Sequence, residues 1–251
     1  MNRQGAILGC LVVAAAALGA TPAPAQGTFR LVVDRLTESR ARTATNETSG
    51  RLTLMPKLEG EGLAEAKAFR LRVAAAKDDT GRALLPDEPE PSPWEENPAG
   101  PGLWIAVQGP ARAASSVTVS GTIELWTPGR DSGAEVKVPK GLVRPGRPIA
   151  AQGLRDAGVS LTVAPRSAGD VSVVLSGKTA DVDRVRSVRL LAPDGAEVAV
   201  TGLQRSSDGA KGTLELLLAS PPPADATLVL GLLTKRSVLA VPFELESVPL
   251  P

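Results

Sequence analysis

An all-β fold of short antiparallel strands is what this sequence predicts, and three observations predict it. Gly 25 and Pro 22 are scattered between short apolar runs, too densely for long helices and without gathering into one disordered tract. Residues 68–76 alternate strictly, with Phe69, Leu71 and Val73 on one face and Arg70 and Arg72 on the other, the period of a half-buried strand. Around Ala192-Pro193-Asp194-Gly195-Ala196 a hairpin register can be read directly. Pro193 pre-sets the first turn angle and Gly195 suits the left-handed residue of a bulge, so the loop is Pro193-Asp194-Gly195. That loop sets Ala192 opposite Ala196, Leu190 opposite Val198 and Val188 opposite Val200, all on one face. A two-residue Asp-Gly loop would split the apolar partners between faces, which a half-buried sheet tolerates poorly.

Taken in order, residues 1–25 read as a secretory signal: Arg3 makes a positive start, residues 6–20 an apolar stretch, and Ala23-Pro24-Ala25 a small-x-small cleavage site, so that the mature chain begins at Gln26. A lipobox-like Ile7-Leu8-Gly9-Cys10 offers the rival reading of a lipoprotein anchored at Cys10, but an apolar run follows the cysteine where a tether would be polar. An uncleaved anchor is the other alternative, with an apolar run short for a span. The first module, residues 26–127, opens with an alternating strand at Phe29, Leu31 and Val33, passes through a polar segment containing an Asn46-Glu47-Thr48 sequon, and resumes at residues 51–54. After the strand at 68–76, the turn Lys77-Asp78-Asp79-Thr80-Gly81 leads towards an acidic, proline-rich loop at 86–102 that has no periodicity. Strand pattern returns at Leu103, Ile105 and Val107 and again at 117–126, where Gly121 interrupts the alternation as a bulge does.

Residues 128–148 read as a linker with one connecting strand at 135–138. The second module, residues 149–251, has strands expected at 159–163, 171–175, the hairpin, 213–218, 227–233 and 239–245. Six or seven short strands in about a hundred residues is the size of an immunoglobulin-like sandwich. The predicted architecture is therefore two tandem antiparallel β-sandwich domains after a cleaved signal peptide. Pro242 lies opposite the Leu239, Val241, Phe243 and Leu245 face, which argues for an edge strand or a bulge.

On the hairpin, the segment PPPADATLVL and the closing VPFELESVPLP, the chain resembles a loose group of secreted bacterial proteins built from tandem immunoglobulin-like modules. The resemblance implies location and architecture and carries over no functional residue. The chain departs from the antibody pattern in having neither a Cys…Trp…Cys set nor a tyrosine corner, which leaves jelly-roll and other two-sheet topologies open.

Composition removes whole classes of chemistry. There is no His, no Tyr, and no Cys besides Cys10, so Ser-His-Asp and Cys-His catalysis, histidine and thiolate metal sites and disulfides are excluded. A formal net charge of +1 gives no electrostatic footprint for nucleic acid or an anionic membrane. Membrane contact is expected only through the signal segment.

The candidates that remain are few. Trp94, Trp104 and Trp126 all lie in the first module, and an aromatic on an outer sheet face stacks on a sugar or a peptide. The packing alternative places Trp126 between the modules and Trp104 under the acidic loop. Asp87, Glu88, Glu90, Glu95 and Glu96 are oxygen donors of the kind calcium takes, as are Asp78, Asp79, Asp181 and Asp183, but none has the spacing of a known calcium loop. Two carboxylates also make a hydrolase in principle, one with a raised pKa, though no motif selects the pair. Ser176-Gly177-Lys178 lacks the context of a Ser-Lys pair, and Ser115-Ser116 and Ser206-Ser207 read as turns. The expectation is a non-enzymatic exported structural or interaction protein of the periplasm or cell surface, without cofactor, with a protein or cell-wall polysaccharide as partner. The first alternative is a carbohydrate- or peptide-binding module using Trp94, Trp104, Trp126, Glu95 and Glu96; the second is a carboxylate-dependent hydrolase.

Overall fold

The computed structural model describes residues 29–42, 48–86, 89, 91–96, 103–140, 142, 145–165 and 169–251. The signal segment with Cys10, the residues Asn46 and Glu47 of the sequon, and Asp87, Glu88 and Glu90 lie outside the described residues. The chain is all-β, as its alternation predicts, with fourteen strands among the described residues in four antiparallel sheets.

The first half supplies β1 (Arg30–Arg42), β2 (Thr48–Glu59), β3 (Ala68–Asp78), β4 (Glu95–Glu96), β5 (Ile105–Gln108) and β6 (Ser116–Trp126). The second supplies β7 (Glu135–Val138), α1 (Gln152–Ala157), β8 (Leu161–Val163), β9 (Ser172–Lys178), α2 (Thr179–Asp183), β10 (Val185–Leu191), β11 (Val200–Ser207), β12 (Lys211–Leu218), β13 (Thr227–Leu232) and, last, β14 (Val238–Pro249). In the first unit a sheet ordered β1-β2-β5 and a sheet ordered β14-β6-β3-β4 share one core. In the second, β10-β13-β7 and β11-β12-β9-β8 share another.

The position of β14 corrects the linear division at residue 149. Residues 238–249 pair with β6, from Val238 opposite Trp126 to Pro249 opposite Ser116, and place Val241, Phe243, Leu245 and Val248 in the first core. The second unit is thus inserted between two neighbouring strands of the first. The two crossings meet side by side, where the Thr127 amide donates to the Ser237 carbonyl at 2.7 Å. Strand β14 ends its sheet, so Pro242, which has no N–H to give, sits on an edge strand as its type requires. What alternation could not show was which sheet that edge belongs to.

Two other segments differ from the sequence reading. The polar stretch after Val33 is strand as far as Arg42: β1 pairs with β2 along residues 35–42, because ladder pairing satisfies the backbone whatever the side chains are. The bulge signalled by Gly121 lies on the opposite strand, between Val73 and Ala75 of β3. A Cβ at Gly121 would come to 2.1 Å from the Arg72 carbonyl oxygen, so the glycine is where the bulged backbone closes in.

At the 193–195 turn the register is the one the apolar pattern selects. The Ala192 amide donates to the Ala196 carbonyl at 2.7 Å, the Val198 amide to Leu190 at 2.8 Å, and Gly195 has φ +86°. The hairpin ends there, however: Val200 pairs with Leu218 rather than facing Val188, as the chain crosses to the other sheet.

Candidate functional site

The tryptophans occupy three different environments. Trp104 precedes β5 and points away from the core-facing Ile105 and Val107. It is 61 % exposed, and its indole N–H donates to Glu95 Oε1 at 3.3 Å. The groove beside it, about 600 Å³, runs past Thr37, Arg51, Thr53, Met55 and Ala106. The indole is therefore not covered by the described part of the acidic segment; Glu95 of that segment reaches its edge and orients it.

Part of the segment expected as solvated loop is held against β3. The Ser92 amide donates to the Leu71 carbonyl and its hydroxyl accepts from the Leu71 amide, both at 2.8 Å. Glu95 and Glu96 then continue as β4, opposite Phe69 and Ala68. This docking lays the half-buried Trp94 on the Arg70 guanidinium, whose carbon is 4.8 Å from the ring centroid, with Arg186 of the second unit at 5.7 Å. Both contacts are cation–π pairs. Arg70 and Arg72 in turn share Glu124 across the β3–β6 ladder, Arg72 at 2.9 Å.

Trp126 is 5 % exposed and packs between the two units. Its N–H donates to the Leu232 carbonyl at 3.1 Å, and its ring covers Gly231, where a Cβ would lie 2.7 Å from the indole. A buried ring presents no stacking face, so of the three only Trp104 offers one broadly to solvent.

Four of the described acids, Asp78, Asp79, Asp131 and Asp181, are engaged in holding turns and loops. Asp78, 3 % exposed, accepts from the Thr80 hydroxyl and the amides of Thr80, Arg82 and Ala111. Burial raises its pKa, but those donors outweigh it and hold the carboxyl below its ordinary value. The Ser115 hydroxyl and amide lower Asp79, and the Thr234 hydroxyl, with the Gly133 amide, lowers Asp131. Asp181 accepts from the Ser160 amide at 3.2 Å. Among the described residues no three His, Cys, Asp or Glu side chains converge as a metal group. Among the described residues the carboxylates with a shifted pKa, Asp78, Asp79 and Asp131, all have it lowered, the direction opposite to that of a general acid.

Alternation along β3 and β10 directs Arg70 and Arg186 outward, but no local signal shows that they converge on one indole from different units. Compared with protein-family models, curated proteins and solved structures, the chain matched none, so the layout resemblance to secreted tandem-module proteins has no counterpart among them.

Proposed function

We propose that this chain is a non-catalytic interaction protein that takes a carbohydrate or an extended peptide on the Trp104 face of its first unit. The observation that carries the reading is an indole 61 % exposed, steadied by Glu95 and bordering a groove with both apolar and hydroxyl-bearing walls. A flat, pre-oriented ring with polar neighbours matches the stacking and hydrogen-bonding demands of a sugar ring or a peptide plane. The downward shifts of Asp78, Asp79 and Asp131 weigh against the carboxylate-hydrolase alternative, which needs one acid held protonated. We read each unit as immunoglobulin-like in size and layering, and the export of the chain to the periplasm or cell surface rests on the signal-like residues 1–25.

The test is intrinsic fluorescence of the full mature chain, titrated with soluble cell-wall glycans, neutral polysaccharides and unstructured peptides. With no Tyr in the sequence the emission reports only tryptophan. A saturable shift that Trp104→Ala abolishes and Trp94→Phe preserves is the expected result. Absence of any saturable response across these ligands, or a response that survives Trp104→Ala, refutes the Trp104 site.

A further inference from the structure

A second feature lies at the seam of the two units, away from the Trp104 groove. A crevice of about 420 Å³ is lined by Lys67, Glu96 and Trp126 from the first unit and Glu135, Arg186 and Arg189 from the second. Its charges are unevenly matched. Glu135 is taken up by Arg189 at 2.9 Å and Lys137 at 3.5 Å. Lys67 forms no ion pair among the described residues, and Glu96 attracts Arg186 without an ion pair to it. Two further cations act on Arg186: Arg205, which donates to the Val182 and Val185 carbonyls, and Arg70, which lies against the same Trp94 ring. Burial, reinforced by these two cations and only partly offset by Glu96, lowers the pKa of Arg186, the response of a cation short of counter-charge.

Unmet hydrogen bonding coincides with this excess. The Arg186 Nε–H and the Trp94 indole N–H are both buried without an acceptor among the described residues. A buried donor left unmade costs about 1–3 kcal/mol, more when it is charged, and two such donors meet here in one cation–π contact. Neither side chain belongs to the two apolar clusters.

We propose that the inter-unit crevice is a binding site for a small oxyanion, a phosphate or carboxylate group seated on the Arg186 guanidinium with Lys67 as the second cation. A guanidinium offers a planar fork of donors that matches two oxygens of such a group, and a half-buried one is screened less than a surface lysine. Because Lys67 and Arg186 belong to different units, the anion bridges them. This site is independent of the Trp104 groove and of the function proposed for it.

The test is isothermal calorimetry on the full chain with inorganic phosphate in one arm and galacturonate in the other, chloride holding ionic strength constant. Saturable binding in either arm is expected and names the class. Arg186→Gln should weaken it at least about tenfold, the worth of a charged hydrogen bond. Exposed Lys67→Gln should weaken it about threefold without altering the melting temperature, and so decides the matter if the arginine variant fails to fold. Trp104→Ala should leave the constant unchanged. No binding in either arm, or binding that is indifferent to Lys67→Gln and Arg186→Gln alike, overturns the proposal.

Discussion

At Asp78 a single carboxylate fastens the end of β3 to the segment leading into β6, one oxygen serving the Thr80–Arg82 turn and the other the Ala111 amide at 2.8 Å. Asp78→Asn keeps the shape but loses the charge that those donors favour, and should destabilise the first unit by about 2 kcal/mol at neutral pH. Since the folded pKa lies below the ordinary 3.8, the stabilisation is complete above that value and is lost as pH falls through the lower folded one. Urea midpoints of wild type and variant should therefore stand apart at pH 7 and converge below pH of about 3.8; a gap that stays constant would contradict the account. Gly121 makes the complementary steric case. Gly121→Ala forces a methyl onto the Arg72 carbonyl and the Phe243 ring, and should lower stability by about 2 kcal/mol or more. Gly129→Ala, with no atom within 4 Å of the added carbon, should stay within about 0.5 kcal/mol of wild type in the same denaturation experiment.

At the scale of elements, the 193–195 turn shows a local signal that survives folding and a pairing that does not. Turn chemistry sets the Ala192–Ala196 and Leu190–Val198 partners, and both form. Two residues later β11 pairs with β12 instead, since crossing there completes the second sheet over the core formed by Leu214, Leu216 and Leu218. Gly195→Ala should cost about 1 kcal/mol, the penalty of a left-handed residue with a Cβ, and lower the melting temperature of the second unit by a few degrees. An unchanged melting temperature would mean that the turn relaxes to another type.

For the whole molecule, the insertion makes a prediction that a tandem arrangement does not. Ending the chain after Ser237 removes Val241, Phe243, Leu245 and Val248 from the first core. At roughly 2 kcal/mol each this approaches about 8 kcal/mol, comparable with the entire stability of a small domain. The first unit should then unfold while the second, whose buried cluster lies within residues 136–232, remains intact. Limited proteolysis of the truncated chain should leave a resistant fragment close to residues 127–237. Loss of the second unit instead would show that the last strand serves it.

By itself the sequence determined the local and periodic properties: the all-β class, the inward face of β3, the turn at 193–195, the edge character of Pro242 and the lack of any histidine and of any cysteine besides Cys10. These follow from contacts within a few residues, where period and turn chemistry act. Only the tertiary structure decided that β14 returns to β6, that Trp126 is covered by Gly231 and Leu232, and that Arg70 and Arg186 meet on Trp94. An alternating strand such as 238–249 presents the same apolar face to either core, so its choice of partner depends on which sheet has an open edge and a matching cavity. That is a property of chain segments more than a hundred residues apart, and periodicity does not encode it.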